Sequence, residues 1–154
     1  MCGVKFSLFI DADNQSANVA SSLFGYINRN NNRVFSATIA GNSNGKPNEA
    51  WVKALRDFDP HIQIESIVVP CHPDAADAAL ILELGQNLRG FCNASRHVII
   101  ISRDDVLVSA AEWAQGCGLQ VSLAYANTGQ ALKKRNTTVP ICLLSRSKAS
   151  QPAY

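Results

Sequence analysis

The stretch KFSLFIDADNQSA, Lys5 to Ala17, decides how the rest of the chain is read. Its first half is mostly apolar and has the composition of a covered β-strand. It then runs without a break into Asp11, Asp13 and the amide of Asn14. Carboxylates at the end of a buried strand are costly unless something binds them. The remaining sequence has to supply both the sheet around this strand and the reason for the acids.

Working outward, strand-like and helix-like patterns alternate. Lys5–Asp11 reads as a first strand. Ala17–Asn28 reads as a helix with Val19, Ala20, Leu23, Phe24 and Ile27 on one face. Arg33–Ala40 is a second strand, closed by the loop GNSNGKPN. Asn48–Phe58 is a helix with Trp51, Ala54, Leu55 and Phe58 on one side, and Ile62–Val69 is a third strand. A helix follows from Asp74 to Arg89. His97–Ile101 is an unbroken apolar run, as expected of a strand covered on both faces. Asp105–Gly116 is the fourth helix, with Val106, Leu107, Ala110, Ala111 and Ala114 inward. Leu119–Tyr125 alternates as a fifth strand. Val139–Leu144 reads as a short sixth strand, weakened by Pro140. Successive β-α units predict an α/β three-layer sandwich around a mostly parallel sheet of five or six strands. One domain over residues 1–145 and a polar tail, 146–154, account for the length.

Composition narrows the function. No run of about 18 apolar residues predicts a membrane span, and the N-terminal MCGVKFSLFID does not read as a signal peptide. Five widely spaced cysteines, with no C-x-x-C and no zinc pattern among the three histidines, fit reduced thiols in a cytoplasmic protein. The formal net charge is +2, but it is unevenly distributed. Residues 1–112 hold nine basic and twelve acidic residues, whereas residues 113–154 hold five basic residues, Lys133, Lys134, Arg135, Arg146 and Lys148, and no acid. An acidic site beside a basic flank suits a metal-assisted reaction on a polyanion. A solvated basic tail is the plain alternative. No predominantly apolar outer helix face is evident, so the sequence leaves open whether the chain forms a homodimer.

The eight aspartates are placed unevenly too. Ligands of such folds bind beyond the carboxyl ends of the strands. Asp11 and Asp13 follow the first strand, Asp74 and Asp77 open the third helix, and Asp104 and Asp105 follow the fourth strand. Only Asp57 and Asp59 fall at the opposite edge. Each acid has a plainer role open to it: Asp13 or Asn14, Asp74 with Asp77, and Asp104 with Asp105 could cap helices. Asp11 ends an apolar strand where no cap is needed. Clustered carboxylates repel one another, and a hard cation such as Mg²⁺ removes that penalty while leaving room for a phosphate.

The ordered set of motifs resembles the NYN domain, the LabA-like branch of the PIN-like nucleases. Asp11-Ala12-Asp13-Asn14 is similar to that family's aspartate-glycine-aspartate-asparagine motif after a hydrophobic strand. Gly41-Asn42 with Trp51, the run PDAADAALILEL with Asp77 and Glu83, and VIIISRD with Ser102 and Asp104 follow in order. The resemblance covers residues 5–126. It implies a PIN-like strand order 3-2-1-4-5, a Mg²⁺ or Mn²⁺ site, and endonucleolytic cleavage, most often of RNA. On that basis Asp11, Asp77 and Asp104 are expected as catalytic metal ligands, and Asp13, Asn14, Ser102 and Asp105 as a supporting shell. Lys46, Arg103, Lys133, Lys134 and Arg135 are expected to track backbone phosphates. The sequence also departs from the family. Val106 and Leu107 stand where a second aspartate and an aromatic are usual, Asp74 replaces a lysine, and Arg103 replaces a small residue.

Three other readings compete. A non-catalytic RNA-binding or regulatory module would keep the fold and lose the metal, and Val106 favours it. A D-x-D phosphatase needs a lysine near the later acid, and none lies near Asp104. Cys71-His72 could suggest nucleophilic catalysis, but neighbours on an extended segment point apart.

Overall fold

The computed structural model describes residues 3–42, 44–128 and 136–147. Six strands form one all-parallel sheet: β1 (Lys5–Asp11), β2 (Arg33–Gly41), β3 (Gln63–Val68), β4 (His97–Ile101), β5 (Gln120–Ala126) and β6 (Ile141–Leu144). Their spatial order is β3-β2-β1-β4-β5-β6. Four helices cover the sheet: α1 (Ala20–Ile27), α2 (Lys46–Phe58), α3 (Ala75–Asn93) and α4 (Asp105–Gly116). The expected α/β sandwich is present, with β6 extending the order by one strand beside β5.

The central strands show why the sheet is sandwiched. In β4, Ile99 and Ile101 pack into the core under α1 and α2, while Val98 and Ile100 pack into the core under α3 and α4. In β1, Phe6, Leu8 and Ile10 face the first core and Phe9 the second. This alternation buries a continuous apolar run on two faces. Ser7 is the buried polar exception, and its hydroxyl is hydrogen-bonded to that of Ser36 at 2.8 Å. Chain order reverses between β1 and β4, the two middle strands, so the crevice at the carboxyl ends lies beside Asp11.

Several boundaries shift. The first helix begins as a 3₁₀ turn, Ala17–Val19, capped by the Ser16 side chain, so neither Asp13 nor Asn14 serves as its cap. α3 continues four residues past Arg89, to Asn93. In α4 the buried set is Leu107, Val108, Ala111 and Ala114, whereas Val106, expected inward, is 45% exposed. Three consecutive apolar residues leave the phase of a helix ambiguous, and packing on β5 selects Leu107 and Val108. Apolar side chains also face outward: Trp113, 78% exposed, stands at a groove lined by Ile81, Gly85, Leu88, Val106 and Ala110, and Leu82 elsewhere on α3 is 73% exposed. Among the described residues no helix is long and apolar enough to cross a membrane.

The β2–α2 connection is fixed by one close approach. Asn48, buried in the first turn of α2, donates from Nδ2 to Ser66 Oγ at 3.1 Å and to the Ile67 carbonyl at 2.9 Å. Its Oδ1 occupies the space that a side chain at Gly41 would need, with Ala12 Cβ beside it. Gly41→Ala therefore forces this amide out of place and is expected to lower stability by about 1–3 kcal/mol. Thermal denaturation of the two single variants and the Gly41→Ala/Asn48→Ala double variant checks this. The double variant should cost less than the sum of the singles; simple additivity would refute the steric link.

Candidate metal centre

Asp11, Asp77 and Asp104 come from three elements and meet at the crevice. Asp11 is the last residue of β1, Asp77 lies in the first turn of α3, and Asp104 precedes α4. One carboxylate oxygen of each lies within 4.8 Å of the others. Asp11 and Asp77 are 3% and 4% exposed; Asp104 is half-buried. They open onto a cleft of about 450 Å³ also lined by Asp13, Asn14, Asn42, His72 and Asp74. Five of the six acids expected at this edge line the cleft, and the sixth, Asp105, does not.

Local structure explains the placement. The Asp11 carbonyl accepts from Asn14 N at 3.1 Å and Gln15 N at 2.9 Å, so the chain turns sharply after β1. Ser102 Oγ donates to Asp11 Oδ2 at 2.9 Å and accepts from Asp104 N at 3.1 Å. One hydroxyl thus orients one cluster carboxylate and the backbone of another. Asn14 Oδ1 accepts from Arg103 N at 2.9 Å, pinning the β1 turn to the β4 turn. Asp13 Oδ1 accepts from Asn42 N at 3.1 Å, holding the loop after β2. Neither Asp74 nor Asp104, though each stands at a helix N-cap position, makes a side-chain cap hydrogen bond. Asp74 sits at φ 62, in the left-handed region that aspartate tolerates better than most residues.

The electrostatics are unfavourable without a counter-charge. Burial is the main force raising the Asp11 pKa to about 6; the Ser102 hydrogen bond opposes it, and Asp104 and Asp13 add repulsion. Burial also raises Asp77 to about 7, assisted by a hydrogen bond with Asp104 and by the charges of Asp11, Asp104 and Asp74. Neither lysine nor arginine lines the cleft among the described residues. Three oxygen donors with hydrogen-bonded support fit a hard divalent cation.

The other expected site residues divide. Asp105, expected in the supporting shell, is exposed in the first turn of α4 and does not line the cleft. A residue next to Asp104 on the helix is rotated away from it. Lys46 is exposed at the start of α2, where its backbone N–H donates to Asn44. Arg103 turns from the cleft toward β5, donating to Thr128 Oγ1 at 3.4 Å with its guanidinium 5.9 Å from the Tyr125 ring centroid. Lys133, Lys134 and Arg135 lie outside the described residues. Glu83, six residues along α3 from Asp77, lines a different cleft.

Some contributors were not foreseen. Gln15 is buried; its Oε1 accepts from Ala126 N at 2.8 Å, its Nε2 donates to Asn14 Oδ1 at 2.9 Å, and its carbonyl accepts from Trp51 Nε1 at 2.9 Å. It ties the turn after β1 to β5 and α2. Cys71 and His72 both line the cleft, because residues 71–74 between β3 and α3 bend and turn rather than extend. His72 is the only histidine among the described lining residues. No family model matches the chain, and no curated protein matches it.

The raised carboxyls set a pH dependence. An acid with a folded pKa of about 6 against 3.8 unfolded holds its proton more tightly when folded. Its contribution is therefore greatest below pH 4, and stability is lost as pH rises toward 6, by about 2–3 kcal/mol for Asp11. Asp77 acts in the same direction, up to about pH 7. In EDTA, Asp11→Asn should gain on the unsubstituted chain in thermal stability as pH rises from 4 to 7. Millimolar Mn²⁺ should raise the melting temperature of the unsubstituted chain at pH 7.5 but not at pH 4.5. A melting temperature blind to Mn²⁺ at pH 7.5 would exclude the metal centre.

Proposed function

We propose that this protein is a divalent-metal-dependent endoribonuclease of the NYN type. The observation that supports it most is the convergence of Asp11, Asp77 and Asp104 within 4.8 Å at the crevice between β1 and β4. Asp11, Asp77 and Asp104 would hold a Mg²⁺ or Mn²⁺ ion, which would supply positive charge beside a phosphodiester and lower the pKa of a bound water. The chain's own residues set the geometry. Ser102 fixes the rotamer of Asp11, Asn14 fixes the spacing of the β1 and β4 turns, and Asp13 holds the loop on the far side of the cleft. RNA as the polyanion rests on the family resemblance, and the basic residues 133–135 follow the end of β5 at Ala126 by only seven to nine residues in sequence.

The expected result is Mg²⁺- or Mn²⁺-dependent cleavage of a labelled single-stranded RNA, abolished by EDTA. Asp11→Asn and Asp77→Asn should each reduce it to background, and Ser102→Ala by about 10–100-fold through the misplaced carboxylate. Val106 supports a second reading. It is exposed in the first turn of α4, where the family usually adds an acid, so the cluster holds three carboxylates without that one. Salt-sensitive RNA binding with no cleavage in either metal would favour a binding module and refute the nuclease.

A further inference from the structure

β3 forms one edge of the sheet, and the chain does little to guard it. β2 lies on one side, and among the described residues no strand lies on the other. An edge strand presents unpaired N–H and C=O groups to any strand that meets it. Folded proteins blunt such edges by shortness, proline, lysine, a bulge or a covering element. At the opposite edge β6 has only four residues and follows Pro140 directly. β3, QIESIV, has six residues, neither proline nor lysine, and an unbroken register with β2. Glu65 is its one charge. α2 packs over one face of β3. On the other face α3 packs over β1 and β2, leaving beside β3 a cleft lined by Glu65, Glu83 and Arg96. No residue of β3 is fully buried, and Val68 is 53% exposed. A segment of this length and composition on an open edge is an aggregation hazard until something covers it.

The backbone decides what fits there. The Val69 N–H donates to the Gly41 carbonyl at 2.7 Å. Backbone groups alternate sides along a strand, so Glu65 and Ile67 also turn theirs toward β2, while Ile64, Ser66 and Val68 turn theirs outward. The side chains of these last three lie on the α2 face. Ile64 packs against the core under α1 and α2, Ser66 meets Asn48, and Val68 lines a hollow of about 420 Å³ with Val52. A second copy of the strand, antiparallel across a two-fold axis, supplies the matching donors and acceptors. Such an axis keeps both α2 helices on one face of the joined sheet, and residues opposite each other in an antiparallel pair share a face. Near the middle of the strand the axis must therefore pass beside Glu65 or Ser66, each meeting its own counterpart. At Glu65 it would set two carboxylates against each other. At Ser66 it sets hydroxyl beside hydroxyl and Ile64 opposite Val68 of the other copy. The three residues with outward backbone groups then face one another.

We infer that two copies of this chain pair through β3, antiparallel about Ser66, joining their six-stranded sheets into one. The pair is closed, because both edges it leaves are the short β6 behind Pro140. The carboxyl ends of the two sheets, and with them the two aspartate clusters, face opposite ways. One strand and the flank of one helix make a small interface, so the pair dissociates at about 10 µM.

The test follows the whole chain by sedimentation velocity from about 1 to about 200 µM, which brackets that value. The mass should rise from one chain toward two and stop there. Amide exchange, read residue by residue, needs no variant. At the high concentration the amides of Ile64, Ser66 and Val68 should exchange about fivefold more slowly than at the low one, while those of Ile67 and Val69 are unchanged. Val68→Lys puts a charge opposite Ile64 of the other copy and should weaken pairing about tenfold or more. Its melting temperature at low concentration should stay that of the unsubstituted chain, because Val68 is exposed. A mass of one chain throughout, or growth beyond two, overturns the pairing. So does a dimer in which the three outward amides exchange as fast as in the monomer, or one that Val68→Lys forms as readily, since such a dimer uses another surface.

Discussion

Two buried carboxylates, Asp11 and Asp77, are pressed against a third, and no cation of the described cleft lining offsets them. Everything at this edge of the sheet is organised around that repulsion. Protonation is one escape, which is why both acids titrate near neutrality rather than near pH 4. A divalent ion is the other. The hydrogen bonds from Ser102, and those that anchor Asn14 and Asp13, keep the backbone from taking a third escape, in which the turns move apart. The destabilised arrangement is held by the sandwich below it, where β1 and β4 are covered on both faces. Sites that perturb carboxyl pKa values in this way are found disproportionately where chemistry is done.

The frame of this arrangement was legible in the sequence because it depends on short-range pattern. An apolar run that stops at an aspartate, as at Asp11, or three residues short of one, as before Asp104, can be seen without knowing its neighbours. Asp77 followed from its position in the first turn of a helix. The parts that were not legible depend on partners far away in the chain. Gln15 looks like an ordinary turn residue until Ala126 N is found on its side chain. Asn48 looks like a loop amide, yet its oxygen fills the space over Gly41. The phase of α4 could not be read from three successive apolar residues, and that error hid the exposure of Val106. The segment around Cys71 was taken as extended, whereas it bends between Pro70 and Pro73.

The two clefts share α3 but differ in chemistry. The one at the helix start collects negative charge with nothing to balance it. The one farther along holds Arg96, two of whose guanidinium nitrogens are buried without a hydrogen-bond partner, and the carboxylates of Glu65 and Glu83, which do not pair with it. A 19-residue helix fixes their separation more tightly than a loop could.

The hydrogen bonds of Gln15 also bear on how the molecule comes into being. They join residue 15 to Trp51 and Ala126, and Asn14 reaches the backbone of Arg103. The turn beside Asp11 therefore closes loops of 36, 89 and 111 residues at a single point. Closing such long loops costs more entropy than local contacts do and slows folding. During synthesis the first strand and its acids are made early, yet they cannot be set in final position until β5 has been translated and has left the ribosome. Competence at this edge is thus tied to completion of the sheet, and a chain stopped before Ala126 carries the aspartates without the site.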